Sequence, residues 1–552
     1  MTETSKIALA QLNPKVGDIA GNLSRIRTAR VEAIAKGANL VVTGELGVSG
    51  YPPEDLVLKP AFQIACREGV EALARETADG GPAVVVGAPW LEEGRLHNGA
   101  LLLGEGKILA TRFKCDLPNY GVFDEKRVFQ SGPLPEPVAY GGLNLGVMIC
   151  EDLWFPTTAA HLRSRGADLL VVPNGSPYEH DKIDRRLDIA RARQRETGLP
   201  IIYVNQVGGQ DELVFDGDSF VLDRGGEIRW RLPAFREAVA VSEWRRCDTG
   251  WLCLPGETTE SLPRLQSIYQ AMLLGLRDYV RKNNFPGVIL GLSGGIDSAL
   301  SAAVAVDALG PDKVRAVMMP SPYTSAESLE DAAACARLLG IAYDIVSIEP
   351  AMQAFEGMLA PLFAGRQKDT TEENIQSRAR GLTLMALSNK LGHMLLTTGN
   401  KSEMSVGYAT LYGDMCGGYS VLKDIYKVTV FGLSRWRNAH QPTDCLGPVG
   451  PVMPERVITK PPSAELKPDQ TDQDTLPPYD ILDGILTCLV EEEMAVDQIV
   501  ARGYDRATVH RVWRMLDLAE YKRRQAPPGV KISRRAFGRD RRYPITNGFR
   551  PG

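Results

Sequence analysis

The stretch Ser293-Gly294-Gly295-Ile296-Asp297-Ser298 joins an apolar run, Val288-Ile289-Leu290, to a run of mostly small residues at 299–306. That order predicts a strand, a glycine turn and a helix. Adjacent glycines let the backbone approach a ligand closely, and the N–H groups of the turn and first helical turn have no intrahelical acceptor. Such groups bind phosphate. Ser293 and Ser298 add hydroxyl donors, and the Asp297 carboxylate can hold Mg²⁺ beside the anion. No Gly-Lys-Ser/Thr follows, so this is not the common nucleotide-binding loop. A bare strand-to-helix turn would not call for two serines and an aspartate at this spacing. The expected ligand is a phosphate or pyrophosphate.

A second set lies upstream, where Glu45, Lys114 and Cys150 each stand at the end of an apolar run. Open α/β sheets place their chemistry at such ends. Singly, each has a plainer reading: a core cysteine, a solvent-facing lysine, a solvent-facing glutamate. Together they supply what amide cleavage through a thioester requires. Cysteine is the nucleophile, a carboxylate carries its proton to the leaving amine, and an ammonium stabilises the oxyanion.

At 552 residues the chain exceeds one ordinary core, which implies two large domains. Net charge is −5, so no global field points to nucleic acid or an anionic membrane. Nine cysteines, an odd number without C-x-x-C, and six histidines suggest neither a disulfide framework nor a zinc site. MTETSKIALAQLNP lacks the features of a secretory signal, and no apolar run reaches spanning length. A cytoplasmic protein without membrane or nucleic-acid partners is expected.

The elements that must position these residues follow from periodicity. In the first half, strand-like runs fall at 6–11, 40–43, 83–87, 100–103, 145–150, 169–173, 201–205, 219–222 and 239–241, with helical spacing at 23–36, 61–77 and 185–197. Short strands interleaved with helices, some in hairpin-like pairs, indicate a layered α/β sandwich. Residues 246–262 turn irregular and read as a linker between domains at 1–245 and 263–552. Beyond it, a helix at 262–281 precedes strands at 288–292, 314–319, 342–348 and 394–397, with helices at 325–339 and 374–391. That alternation predicts a doubly wound, largely parallel sheet. Arg378 and Arg380 fall on the second of those helices, Glu403 on the early turns of another. Lys423, Asp424 and Lys427 form a charge run whose default reading is a solvated face.

Glu45, Lys114 and Cys150, in the strings GELGVSGYPPEDL, KCDLPNYGVFDEKR and CEDLW, resemble the glutaminase branch of the nitrilase family. The resemblance implies an N-terminal α-β-β-α sandwich with Glu45 as general base, Lys114 as orienter and oxyanion partner, and Cys150 as nucleophile. It also implies a glutamine pocket of Tyr120, Phe123, Glu151, Ser176 and Lys182. Cys115, next to Lys114, lacks the strand-end setting of Cys150 and is read as structural.

In the second half, LSGGIDSAL, MPSPYTS, EENIQSRARG, TTGNKSEMSVGYATLYGDMCGGYSVLKD, TKPPSAELKPDQ and LPPYDILD occur in order. They resemble the N-type ATP pyrophosphatase fold, Rossmann-like, and within it the NAD⁺ synthetase domain. The basic closing string YKRRQAPPGVKISRRAFGRDRRYPITN is similar to the tail of the glutamine-dependent members, which makes it an ordered segment and not an RNA-binding one. The implied reaction takes deamido-NAD⁺, ATP and glutamine to NAD⁺, AMP, pyrophosphate and glutamate. The implied ATP and pyrophosphate residues are Ser293, Gly294, Gly295, Ile296, Asp297, Ser298, Thr398, Lys427 and Ser463. Arg378 and Asp414 would contact deamido-NAD⁺, Asp297 and Glu403 would share Mg²⁺, and a homo-oligomer would complete the pocket.

Other enzymes built on similar ATP domains fit less well. Asparagine synthetase needs an N-terminal Cys where Thr2 stands, and GMP synthetase pairs its Cys with a His that the surroundings of Cys150 do not offer. A tRNA-thiolating enzyme would want paired cysteines or a broad basic surface. A non-catalytic scaffold would not need all three of Glu45, Lys114 and Cys150.

Overall fold

The computed structural model describes residues 3–248, 250–468 and 470–549, which separate into two units, Met1–Leu262 and Pro263–Gly552. The first unit is organised by strict alternation along its central strands. Ile7, Leu9, Leu40, Val42 and Val85 share one apolar cluster with Leu145, Val147, Leu169, Val171, Ile202 and Val204. Their neighbours Ala8, Ala10, Val41, Val84 and Val86 face the opposite way, onto the helices Ile19–Ala35 and Pro60–Glu76. Leu170, Val172, Ile201 and Tyr203 likewise face Ala159, Leu162, Leu187 and Ala190 of two further helices, Pro156–Ser164 and Lys182–Thr197. Two buried faces per strand produce four layers, α-β-β-α. Each buried Leu, Ile or Val contributes about 1.5–3 kcal/mol, and a one-residue slip would exchange the faces, so the register is strongly specified.

One sheet has seven strands and the other six. In the first, Thr4–Gln11 pairs antiparallel with Ala238–Cys247 and parallel with Leu40–Val42. In the second, Leu143–Val147, Leu169–Asn174 and Ile201–Asn205 run parallel. Residues 246–262, expected as a linker, are not a bare connector. Ala238–Cys247 turns back into the strand Gly250–Cys253, and Trp251 and Cys253 enter the core between the sheets. Trp251 is an apolar anchor in a stretch that lacks periodicity, which is why sequence patterning missed it.

The second unit holds a five-stranded parallel sheet in the order Ala342–Ile345, Val314–Met318, Val288–Gly291, Met394–Thr397, Tyr419–Ser420. The chain reverses direction across the sheet between Val288–Gly291 and Met394–Thr397, the switch point at which such sheets bind ligands. Ile289, Val317 and Leu395 pack under the helix Thr370–Leu391 through Ala379 and Leu384. On the helix Ile296–Leu309, Asp307 is fully buried and accepts Arg437 Nε at 2.6 Å, Arg437 Nη2 at 3.0 Å and Tyr269 OH at 2.6 Å. A separate apolar cluster around Leu482, Ile485, Val509, Val512 and Phe537 joins the last helices.

The charge run at 423–427 departs from its solvated reading. Asp424 and Lys427 are 4% and 2% exposed. Asp424 accepts the Ile532 N–H at 2.8 Å, the Ser533 N–H at 2.6 Å, the Ser533 hydroxyl at 2.9 Å and the Lys401 ammonium at 2.7 Å. Lys401, buried as well, also contacts Glu491 and donates to Ser533 Oγ at 2.7 Å and to the Arg535 carbonyl at 2.9 Å. The closing basic segment is thus held through Ile532, Ser533 and Arg535 on a buried pair of opposite charges, Asp424 and Lys401. No helix among the described residues is long and apolar enough to cross a membrane, and the cysteines are all free thiols. Asp424→Ala would leave Lys401 buried with one carboxylate partner and release three donors of the closing segment. The expected cost to the second unit is about 3–5 kcal/mol, read from the shift of its urea unfolding transition.

Candidate functional site

A candidate site stands out in each unit. In the first, Glu45 lies beyond the strand Leu40–Val42 and Lys114 directly follows the strand Lys107–Phe113. Both are fully buried, contrary to the usual fate of such residues. Lys114 Nζ donates to Glu45 Oε1 at 2.7 Å and to Glu125 Oε1 at 2.8 Å. Glu45 is held further by Asn98 Nδ2 on Oε1 at 2.8 Å and by the Gly175 N–H on Oε2 at 2.9 Å. A Cβ on Gly175 would lie 2.9 Å from the Tyr51 ring and 3.1 Å from Glu45 Oε2, so only glycine lets the backbone come this close.

Cys150 is not the end of a strand, as its apolar prelude suggested. The strand stops at Val147, and Cys150 opens a single 3₁₀ turn, Cys150–Leu153, with φ of +46°. A β-strand or α-helix cannot continue through that angle, so the thiol is turned out of the ladder. Burial pushes the thiol well above its ordinary pKa; Glu45 and Glu151 push in the same direction and Lys114 opposes them. Burial also disfavours the Lys114 ammonium, but Glu125 and Glu45 outweigh it and hold Lys114 charged. A resting thiol therefore needs a base in reach, not merely a cation.

Glu125 was not singled out from the sequence. It sits among Asp124, Lys126 and Arg127, all exposed, in a segment without apolar period, so nothing but its place in KCDLPNYGVFDEKR marked it. Burial raises its pKa against the pull of Lys114. Tyr51 OH donates to its Oε1 at 2.8 Å, while Oε2 is buried without a protein partner.

The five expected pocket residues lie around this centre. Tyr120 OH donates to both oxygens of Glu151, at 2.9 and 3.0 Å. Phe123 meets the Tyr120 ring edge-on at 5.5 Å, and Lys182 Nζ sits 5.5 Å over the Phe123 ring. Ser176 is fixed by its N–H to Asn205 Oδ1 at 2.9 Å and by Arg186 Nε on its hydroxyl at 3.1 Å. Arg186 is in turn anchored on Asp216, with 2.8 Å to each oxygen. Cys115 is separate from the cluster; its Sγ lies 3.2 Å from the Pro133 carbonyl.

In the second unit a cavity of about 640 Å³ opens at the switch point, a size suited to a nucleotide. Ser293, Gly294, Gly295, Ile296, Asp297, Ser298, Thr398, Glu403, Asp414, Lys427 and Ser463 all line it. Gly294 has φ of +82°, and a Cβ there would lie 2.4 Å from the Ser328 carbonyl. Ser298 Oγ accepts the Ser293 N–H at 3.2 Å and donates to the Gly295 carbonyl at 2.9 Å, which shapes the loop before the helix Ile296–Leu309. Asp297 and Glu403 are brought together, but a lysine stands between them. The Lys427 ammonium contacts Asp297 Oδ2 and donates to Glu403 Oε1 at 3.0 Å. Asn400 braces the pair, donating from Nδ2 to Asp297 Oδ1 at 2.9 Å and accepting the Glu403 N–H at 3.0 Å. Asp483, from LPPYDILD, accepts the Val428 N–H at 2.8 Å and the Ser402 hydroxyl at 2.5 Å, fixing both helix starts.

Arg378 departs from expectation. Its side chain is exposed and outside the cavity, its Nε donating to the Leu411 carbonyl at 3.2 Å, whereas Arg380 lines the cavity wall. Two residues along a helix turn about 200°, so one of the pair must face away. Asp414 lines the cavity and accepts the Thr410 N–H at 2.7 Å. Lys460 also lines it, donating to Ser328 Oγ at 2.8 Å and Glu465 Oε1 at 3.2 Å; only its neighbours in TKPPSAELKPDQ hinted at it.

The two centres sit in two separate modules, and comparison with known proteins assigns the module that carries each. Residues 6–250 match the carbon-nitrogen hydrolase model and residues 268–526 the NAD synthase model. A glutamine-dependent NAD(+) synthetase of Rhodobacter capsulatus is 50% identical over 550 residues, covering 100% of both chains. That of Thermotoga maritima is 43% identical over 99% of each. The structure of the Acinetobacter baumannii enzyme in complex with adenosine diphosphate superposes with a TM-score of 0.79 at 44% identity, covering 100% of both chains. The chain belongs to the family of glutamine-dependent NAD(+) synthetases.

Proposed function

We propose that this chain converts deamido-NAD⁺, ATP and glutamine to NAD⁺, AMP, pyrophosphate and glutamate in the cytoplasm. The observation that carries the reading is the buried Cys150 centre, with Lys114 locked between Glu45 and Glu125, in the same chain as the Ser293 cavity. One centre can liberate ammonia and the other can activate an acid.

In the first unit, Cys150 attacks the glutamine carboxamide carbon as Glu45 takes the thiol proton. Lys114 stabilises the oxyanion, and Glu45 returns the proton to the departing ammonia. Water, deprotonated by Glu45, then cleaves the thioester and releases glutamate. Glu125 would keep the Lys114 ammonium in place through these steps. Glutamine carries an ammonium and a carboxylate, which suit Glu151 and Lys182 in turn, with Tyr120, Phe123 and Ser176 completing the pocket.

In the second unit, the nicotinate carboxylate is a poor electrophile until adenylated. Ser293, Gly294, Gly295, Ile296, Ser298, Thr398, Ser463 and Lys427 would hold ATP and the departing pyrophosphate, and ammonia from the first unit then displaces AMP. Asp414 lines this cavity; Arg378, outside it, is left to contact deamido-NAD⁺ from an exposed face. Self-association would bring that face into use. The helix Glu349–Phe363 has no buried residue although it exposes Met358 and Leu362, at 69% and 74%, and Leu382 nearby in sequence is 65% exposed. Sedimentation should give a multiple of the chain mass; a single-chain mass at working concentration would remove the homo-oligomer.

Mg²⁺ fits the donor set. Two carboxylates with phosphate oxygens are its ordinary ligands, and Asp297 and Glu403 would hold it, where it would offset pyrophosphate charge. Burial pushes Glu403 up to about 8, against Lys427, which favours its ionised form, and with Asp297, which disfavours it. An acid whose pKa is raised on folding stabilises the folded state at low pH, and that stability is lost as pH rises from about 4.5 towards 8. Mg²⁺ bound to these carboxylates, in addition to the Lys427 ammonium already between them, would counter the loss. Added Mg²⁺ should thus raise the melting temperature of the second unit more at about pH 8 than at about pH 6, and Glu403→Gln should remove the difference.

The deciding assay supplies deamido-NAD⁺ and ATP with either glutamine or an ammonium salt and follows NAD⁺ and AMP. Cys150→Ala should abolish glutamine-supported synthesis and keep ammonium-supported synthesis. Equal loss of both would show that the nitrogen source is not separate.

A further inference from the structure

Lys114 and Cys150 belong to different sheets. Lys114 follows the last strand of one, Lys107–Phe113, and Cys150 follows Leu143–Val147 of the other. Between the sheets lie apolar contacts, which are non-directional and do not fix a spacing to a fraction of an ångström. A directional tie is present at Asp152, which is fully buried. Its Oδ2 accepts the Ile149 N–H at 2.9 Å, immediately before Cys150. Its Oδ1 accepts the Cys115 N–H at 2.9 Å and the Asp116 N–H at 2.7 Å, immediately after Lys114. Burial pushes this carboxyl up to about 7 while the three N–H donors pull it back down; such bonds strengthen as the acceptor ionises, and here one carboxylate gathers three from the two reacting segments.

We propose that Asp152 is a positioning residue that sets the distance between the Lys114 ammonium and the Cys150 thiol, acting through the backbone beside each and never touching glutamine. The proposal rests on the reading of Cys150 as nucleophile. A carboxylate is required at this position: both oxygens accept, whereas an asparagine would turn an NH₂ group towards an N–H on one side. Lys114 would then keep Glu45 and Glu125 but lose its fixed offset from Cys150.

The test is Asp152→Asn in the full chain. Glutamine-supported kcat should fall about 100-fold, the scale of a 1 Å misplacement, with a much smaller change in KM for glutamine. Ammonium-supported synthesis should be unchanged. The rate at which iodoacetamide labels Cys150, read by peptide mass spectrometry on the folded variant, should fall with kcat. A role confined to folding would lower the melting temperature and leave that labelling rate alone. A folded Asp152→Asn protein with kcat and labelling within about twofold of the unaltered chain overturns the proposal. Should the variant not fold, hydrogen exchange on the unaltered protein decides: the Ile149, Cys115 and Asp116 amides should exchange together, as groups sharing one acceptor, and independent exchange overturns the proposal. Cys150→Ala separates the two readings. If it retains glutamine-supported synthesis, the nucleophile reading fails; if it does not and Asp152→Asn is normal, only the positioning role fails.

Discussion

In each unit a lysine ammonium shielded from water lies between two carboxylates borne by separate segments: Lys114 between Glu45 and Glu125, Lys427 between Asp297 and Glu403. Withdrawing such groups from water costs several kcal/mol per ion, recovered only when geometry is good and the spare lone pairs are met. Asn98, Gly175 and Tyr51 meet them in the first cluster, all but Glu125 Oε2, and Asn400 does so in the second. Two negative groups to one positive leaves an excess that a proton or cation must answer. The first cluster answers through raised pKa values at Glu125 and Cys150, the second through Glu403 and the cation it would share with Asp297.

The rest of the architecture holds these clusters in place. Strand alternation walls the first between two sheets, each covered by helices, and leaves Lys114 and Cys150 buried. In the second, the parallel sheet brings the loop after Val288–Gly291 beside the one after Met394–Thr397, and Asp483 clamps the helix starts that carry Glu403 and Lys427.

Much of this was legible in the residues. Short apolar runs at 6–11, 40–43, 169–173 and 201–205 dictated buried strands, and the Ser293 loop, where glycine, serine and aspartate each have a narrow reason to be, does line the cavity of the second unit. What escaped was set by tertiary placement. Asp424 read as a solvated charge and Glu125 was not singled out, because sequence reports a charge but not whether its partners arrive from 11 or 109 residues away. Trp251 lay in a stretch with no period. Arg378 and Arg380 were indistinguishable until the helix face was known.

The strand Ala238–Cys247 pairs along the whole of Thr4–Gln11, and Ile532 and Ser533 supply three of the hydrogen bonds on Asp424. Each unit is therefore closed by the part of it that the ribosome makes late. A nascent chain halted before 238 presents Thr4–Gln11 with one edge unpaired, and one halted before 530 leaves Asp424 without the donors that the closing segment brings. Unpaired edges invite aggregation. Synthesis interrupted before either segment thus leaves the unit that segment would close open to quality control.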